Sequence, residues 1–65
     1  MSDRWYYPKK GELPPVGKKV LIKVGKDDYG IDFVLKDEYT RDYFWYNDDN
    51  PASVNEVEKW KYIDE

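Results

Sequence analysis

Hydrophobic and polar residues alternate along most of this chain with the two-residue period that is typical of β-strands. The pattern predicts five short strands, at residues 3–7, 19–24, 29–36, 40–46 and 58–63. In the second of these strands Val20 and Ile22 share one face, and in the third strand Ile31 and Phe33 do the same. We expect these four side chains to form one core together with Trp45.

Turn residues separate the predicted strands. Residues 25–28 read Gly-Lys-Asp-Asp, which favours a tight hairpin between the second and third strands. Gly30 lies inside the third strand, where a glycine often marks a bulge or a close approach of backbone. Ser53 and Glu56 have the spacing of a capping box, which allows one helical turn at residues 54–56.

The predicted elements define an all-β class of fold. Residues 1–65 are long enough for one small domain. Short strands joined by tight turns favour an SH3-like, partly open barrel, or else a strongly bent antiparallel sheet of four to five strands with at most one helical turn. Both terminal strands carry a tryptophan, Trp5 and Trp60, and pairing between them would close such a barrel.

An ordered set of residues resembles a small phage and prophage domain of unknown function. The set begins with Trp5, continues through Leu13-Pro14, Gly17, Val20-Leu21 and Trp45, and ends with Trp60. Members of that family typically have a Trp-led first strand, an LP-x-x-G-x-x-VL segment and a Trp-containing last strand. The resemblance implies a phage or mobile-element origin and carries no activity with it. The chain departs from the family near its end: members often carry His before the last tryptophan and Pro after it, whereas Lys59 and Lys61 flank that tryptophan here.

The composition bears on chemistry and location. The chain contains no His and no Cys, so the commonest general base and the thiol nucleophile are both missing, and we expect no enzymatic activity and no cofactor. No apolar run approaches the ~20 residues that span a bilayer, and the first residues do not form a secretory signal. These features favour a protein that works in the cytoplasm of a bacterial host without contacting the membrane.

Charge is distributed unevenly along the chain. Residues 1–26 carry seven bases and two acids, whereas residues 27–65 carry four bases and twelve acids. The stretch 27–49 holds eight of those acids and four tyrosines. Tyrosine beside carboxylates suits a protein interface, because the ring buries area while the charges attract a basic partner. The predicted contacts with such a partner are Asp27, Asp28, Tyr29, Asp37, Glu38, Tyr39 and Asp42.

The main functional hypothesis is a phage-encoded binding protein that inhibits a bacterial nucleic-acid-handling or defence protein by occupying its surface. One alternative is an oligomeric sponge for an anionic nucleotide signal. The ring that stacks a base would be Trp5, Tyr6 or Trp60. The phosphate contact would be Lys9, Lys10 or Arg4. Another alternative is a structural accessory module of a phage assembly. An isoelectric point near 4.9 argues against direct binding of nucleic acid, and the acidic pairs lack the spacing of a metal-binding loop.

Overall fold

The computed structural model describes residues 4–63, and these residues form an all-β fold. The strands are β1 (Val20–Gly25), β2 (Asp28–Asp32), β3 (Val34–Lys36), β4 (Tyr43–Trp45), β5 (Ala52–Ser53) and β6 (Lys59–Tyr62). Two single turns of 3-10 helix, Pro8–Lys10 and Val54–Glu56, complete the secondary structure of the described residues.

The strands form two antiparallel sheets that meet at one corner. The first sheet has the strand order β2-β1-β6, and the second sheet has the order β3-β4-β5. Phe33 separates β2 from β3, so one bent run of chain contributes an edge strand to each sheet. The described strands make two three-stranded sheets, which confirms the small all-β class. These strands do not close into a barrel.

The hairpin and the capping box are confirmed. β1 pairs with β2 across a turn at residues 26–27, where Asp27 has a φ of 62°. The irregularity in this pairing falls between Lys23 and Gly25, so the predicted bulge at Gly30 is wrong. The alternative, a close approach of backbone, is also wrong, because a Cβ atom built at Gly30 meets no other atom within 4 Å. The Ser53 hydroxyl accepts a bond from the N–H of Asn55, and the Glu56 carboxylate accepts one from the N–H of Ser53.

The prediction of which face of β2 points inward is wrong. Ile31 is 63% exposed, whereas Asp32 is only 7% exposed and Val34 is fully buried. The reason is the register of β2 on β1, because Asp32 pairs with the buried Val20 and shares its face, whereas Ile31 pairs with Leu21 on the other face. Phe33 is half-buried, and its ring stacks on Tyr46 with the ring centroids 4.8 Å apart. Val34 takes the core position at the start of β3, and the neighbouring Asp32 turns inward with its carboxylate satisfied by backbone N–H groups.

The core is small and contains two tryptophans. Its buried apolar members are Val20, Ile22, Val34, Trp45, Val57 and Trp60. The Trp45 Nε1–H donates to the carbonyl of Val54 at 3.2 Å, and the Trp60 Nε1–H donates to the carbonyl of Glu12 at 2.9 Å. Each indole therefore ties a connecting segment to the core, as buried Trp side chains usually do.

The predicted strands at the two ends of the chain pair at a single point. Of the predicted first strand, residue 3 lies outside the described residues and the remainder forms one bridge, from Tyr6 to Trp60. Two backbone bonds of 2.8 and 2.9 Å make this bridge, and the two rings stack with centroids 4.6 Å apart. Pro8 begins a 3-10 turn directly afterwards, which ends the extended segment.

Candidate functional site

The seven residues predicted as contacts lie in two separate turns. Asp27, Asp28 and Tyr29 are in or next to the turn between β1 and β2, and the other four belong to the segment between β3 and β4. The strands β2 and β3 lie between these turns, so the two groups are at opposite ends of one bent run. We therefore consider them as two sites.

The β3–β4 segment uses its first acid for structure. The Asp37 carboxylate accepts bonds from the N–H of Tyr39 at 2.7 Å and of Thr40 at 3.1 Å. The Asp37 N–H donates to the carbonyl of Asp42 at 2.9 Å, which closes the turn. The Tyr39 ring is 96% exposed and stands on the outside of this turn. Asp37 is thus an Asx-turn residue whose replacement would disturb the loop as well as its charge.

The β1–β2 group borders a groove. This space has a volume of about 530 Å³ and follows β2 from Asp28 to Asp32. Its other wall is the start of the β4–β5 turn, from Tyr46 to Asp48. We call this space the β2 groove.

Carboxylates dominate the charge of the β2 groove. Asp28, Asp32 and Asp48 line it, against a single ammonium group from Lys19. The pKa of Tyr46 is raised, chiefly because its hydroxyl hydrogen-bonds to the Asp49 carboxylate, with smaller contributions from burial and from the neighbouring negative charges. The groove is therefore a place where a cationic side chain is favoured.

The far wall of the groove is held in an unusual backbone conformation. Asn47, Asp48 and Asp49 all have positive φ, at 47°, 56° and 68°. Asn and Asp tolerate this left-handed region better than other side chains, but three in succession are rare. The Asp32 carboxylate accepts a bond from the Asn47 N–H at 3.0 Å, and this contact fixes the strained turn against β2.

The outer side of the first sheet carries exposed rings and aliphatic groups. Tyr29 is 53% exposed and Ile31 is 63% exposed, and they occupy successive outward positions on β2. The Trp5 ring lies 6.3 Å from the Tyr29 ring, with the ammonium groups of Lys59 and Lys61 at 4.5 and 4.9 Å from Trp5. An apolar strip with cationic neighbours therefore adjoins the acidic groove along one strand.

Sequence reasoning found part of this site and missed the rest. Asp28 and Tyr29 are among the predicted contacts, whereas Ile31 is a predicted core residue and Asp48 is not among the predicted contacts. A usable signal was present, because Asp32 interrupts an otherwise apolar strand and an acid there must be either exposed or satisfied by bonds.

Comparison with known proteins returned no match: no family model, no curated protein and no solved structure is similar to this chain. Among residues 4–63 there is no helix long and apolar enough to cross a membrane. The same residues contain no group of three or more acidic, His or Cys side chains that could hold a metal ion.

Proposed function

We propose that this chain is a non-enzymatic binding protein that engages a protein partner with a basic surface through the β2 groove. One observation carries the proposal. The edge strand β2 exposes Tyr29 and Ile31, and these two residues line the same groove as three aspartates. Aromatic and aliphatic groups supply buried area in an interface, and the adjacent charges select the partner and speed its approach.

The most concrete form of this proposal is a phage-encoded inhibitor that acts in the bacterial cytoplasm. Its target would be a nucleic-acid-handling or defence protein, because such proteins carry basic surfaces that a row of carboxylates can occupy. The resemblance to a phage domain supports the origin, and the acidic groove supports the kind of target. An SH3-like topology is the matching proposal for the fold, supported by the bent run of β2 and β3 that serves both sheets.

Photo-crosslinking from two tyrosine positions tests the proposal. Benzoylphenylalanine replaces Tyr29 beside the groove in one variant and Tyr39 on the distant turn in the matched control. After irradiation in a bacterial lysate we expect a discrete crosslinked protein from position 29 and none from position 39. Reversing the groove charge with Asp28→Lys and Asp48→Lys should abolish the crosslink, because a basic partner is then repelled. Crosslinks of equal yield from both positions, or from position 39 alone, would place the interface elsewhere.

A nucleotide-binding function is the second candidate, and one ring favours it. Trp5 lies next to the ammonium groups of Lys59 and Lys61, so a base stacked on its free surface would have cations within reach of a phosphate. Trp60 is 1% exposed and is therefore removed from the set of stacking rings. Calorimetry with cyclic and linear nucleotides, on wild type and Trp5→Ala, separates this function from the first. Micromolar binding that is lost in the variant would favour the nucleotide.

A further inference from the structure

We infer that the partner contributes an extended segment of alternating basic and apolar residues, which pairs with β2 and extends the first sheet by one strand. The inference rests on the proposed function and specifies how the β2 groove is used. Strand addition at an exposed sheet edge is a common mode of peptide recognition, in which main-chain bonds give affinity and alternate side chains give specificity.

The backbone of β2 is oriented for this pairing. The Lys23 carbonyl accepts a bond from the Glu58 N–H, so the backbone groups of Lys23 point toward β6 and those of Ile22 point toward β2. Ile22 pairs with Gly30, which therefore directs its own groups back toward β1. Successive residues of a strand direct their backbone groups to opposite edges, so the N–H and C=O groups of Tyr29 and Ile31 point away from β1.

The hydrogen bond of Phe33, two positions after Ile31, agrees with this assignment of backbone directions. The Phe33 carbonyl accepts a bond from the Tyr46 N–H at 3.0 Å, on the side of the run where β4 pairs with β3. Tyr29 and Ile31 lie four and two positions before Phe33. In an extended strand, residues two positions apart direct their backbone N–H and C=O groups toward the same edge, so these groups lie on the same edge as those of Phe33. No strand among the described residues pairs with this edge next to β2, because β2 is the outermost strand of its sheet.

The side chains of β2 specify the pattern of the added strand. All five residues of β2 line the groove, with Asp48 across from them. Because side chains alternate along a strand, Tyr29 and Ile31 point to one face of the sheet, and the other face is that of Asp28, Gly30 and Asp32. An added strand presents its own side chains alternately to these two faces. Apolar residues would therefore pack on Tyr29 and Ile31, and basic residues would enter the groove.

Gly30 keeps the groove open at the centre of the edge. A Cβ atom built at this position meets no other atom within 4 Å, so the space beside it is empty. A long cationic side chain of the added strand can enter there without displacing protein atoms, and the groove volume of about 530 Å³ is within the usual range for ligand sites.

The two edges of the first sheet differ in how they are protected. The edge at β6 is covered by Tyr6, which bridges to Trp60, and lysines flank that position. The centre of β2 reads Tyr-Gly-Ile, without the Lys or Pro residues that proteins use to block edge pairing. An open edge beside a protected one in the same sheet points to a partner strand at β2.

The charges of β2 select a different chain as the partner. Two copies of β2 paired about a twofold axis at Gly30 would place Asp28 of one copy opposite Asp32 of the other. Like charges directly opposite each other are unfavourable in a sheet, and both copies would also bring an acidic groove to the junction. A basic segment has the complementary charge, so we assign the edge to it.

The test is an NMR titration of the full chain with a capped hexapeptide of alternating lysine and valine. We expect the amide signals of Tyr29 and Ile31 to shift more than those of Gly30 and Asp32. A matched glutamate–valine peptide should bind at least about tenfold more weakly, because its charge is repelled by the groove. The same lysine–valine peptide, methylated on the amide nitrogens that face β2, should lose the shifts at Tyr29 and Ile31.

A variant of the protein provides an independent check of the same edge. Ile31→Pro removes a backbone donor that faces outward and leaves the donors toward β1 in place, and Ile31→Val is its control. Loss of the titration in the proline variant only, with both variants folded by circular dichroism, supports strand addition. If the proline variant unfolds, the comparison of the methylated peptide with the parent peptide tests strand addition without it.

Three results would overturn the inference. Equal binding of the methylated and parent peptides would mean docking by charge without strand pairing, which leaves the proposed function intact. Failure of the lysine–valine peptide to bind at millimolar concentration would also overturn it, and the crosslink from position 29 would then decide the proposed function separately. Concentration-dependent dimerisation that protects the Tyr29 and Ile31 amides without peptide would assign the edge to a second copy.

Discussion

Removing the buried carboxylate of Asp32 tests the correction to the inward face of β2. The carboxylate is the acceptor for two backbone donors, the N–H of Phe33 at 2.7 Å and the N–H of Asn47 at 3.0 Å. Hydrogen bonds to a charged group contribute about 1.5–3 kcal/mol each, and donors left without an acceptor cost a similar amount. Because water in the adjoining groove can reach part of this site, we take the lower end and expect Asp32→Ala to cost ~3 kcal/mol.

A loss of that size is a large part of the stability of so small a domain, whose free energy of unfolding is of order 5 kcal/mol. Asp32→Asn keeps one oxygen acceptor and should cost about half as much, since neutral hydrogen bonds are about half as strong as charged ones. Asp28→Ala removes an exposed acid from the same strand and should change the free energy of unfolding by less than ~0.5 kcal/mol. Urea unfolding followed by tryptophan fluorescence measures all three. A loss below ~1 kcal/mol for Asp32→Ala would refute the reasoning.

Two further predictions concern packing and pH. Val34→Ala removes a fully buried side chain and should lower the free energy of unfolding by ~2 kcal/mol in urea unfolding. Ile31→Ala should lower it by less than ~1 kcal/mol, because Ile31 is exposed. A larger loss for Ile31→Ala than for Val34→Ala would restore the predicted assignment of faces. The pKa of Glu12 is held below its ordinary value of 4.5, first by the bond from the Tyr7 N–H and then by Arg4. The stability from this contact is therefore present above pH 4.5 and is lost as the pH falls through the lowered pKa. Below pH 4.5 the urea midpoint of Glu12→Gln should therefore fall less steeply with decreasing pH than the midpoint of wild type. Parallel plots of midpoint against pH for the two proteins would contradict this.

The two-residue period of the sequence predicted the positions of the strands well but not the inward face of β2. Alternation located β1 and β6 almost to the residue, and turn chemistry located the hairpin and the capping box. The fourth predicted strand covers residues 40–46, yet β4 spans only Tyr43–Trp45 because the turn anchored by Asp37 extends to Asp42. A two-residue period does not say which of its two faces points inward, and the register of β2 on β1 puts Asp32 on the core face and Ile31 on the outer face.

The site was only partly predictable for a related reason. The sequence showed that tyrosines and acids are frequent between residues 27 and 49, and this drew attention to both turns. It did not show that the strands place these turns far apart along one run, or that Asp48 lies across a groove from β2. Spatial neighbours that are distant in sequence depend on register and on the bend, which the local pattern does not encode.

Amide hydrogen exchange is the most direct measurement of the central claim, that β2 offers an open edge to a partner. In the free protein the amides of Tyr29 and Ile31 should exchange fast, while Gly30 and Asp32 are protected by their bonds to β1. In the complex with the protein crosslinked from position 29, the first two amides should become protected and the second two should stay protected. Unchanged fast exchange at Tyr29 and Ile31 in that complex would contradict the account.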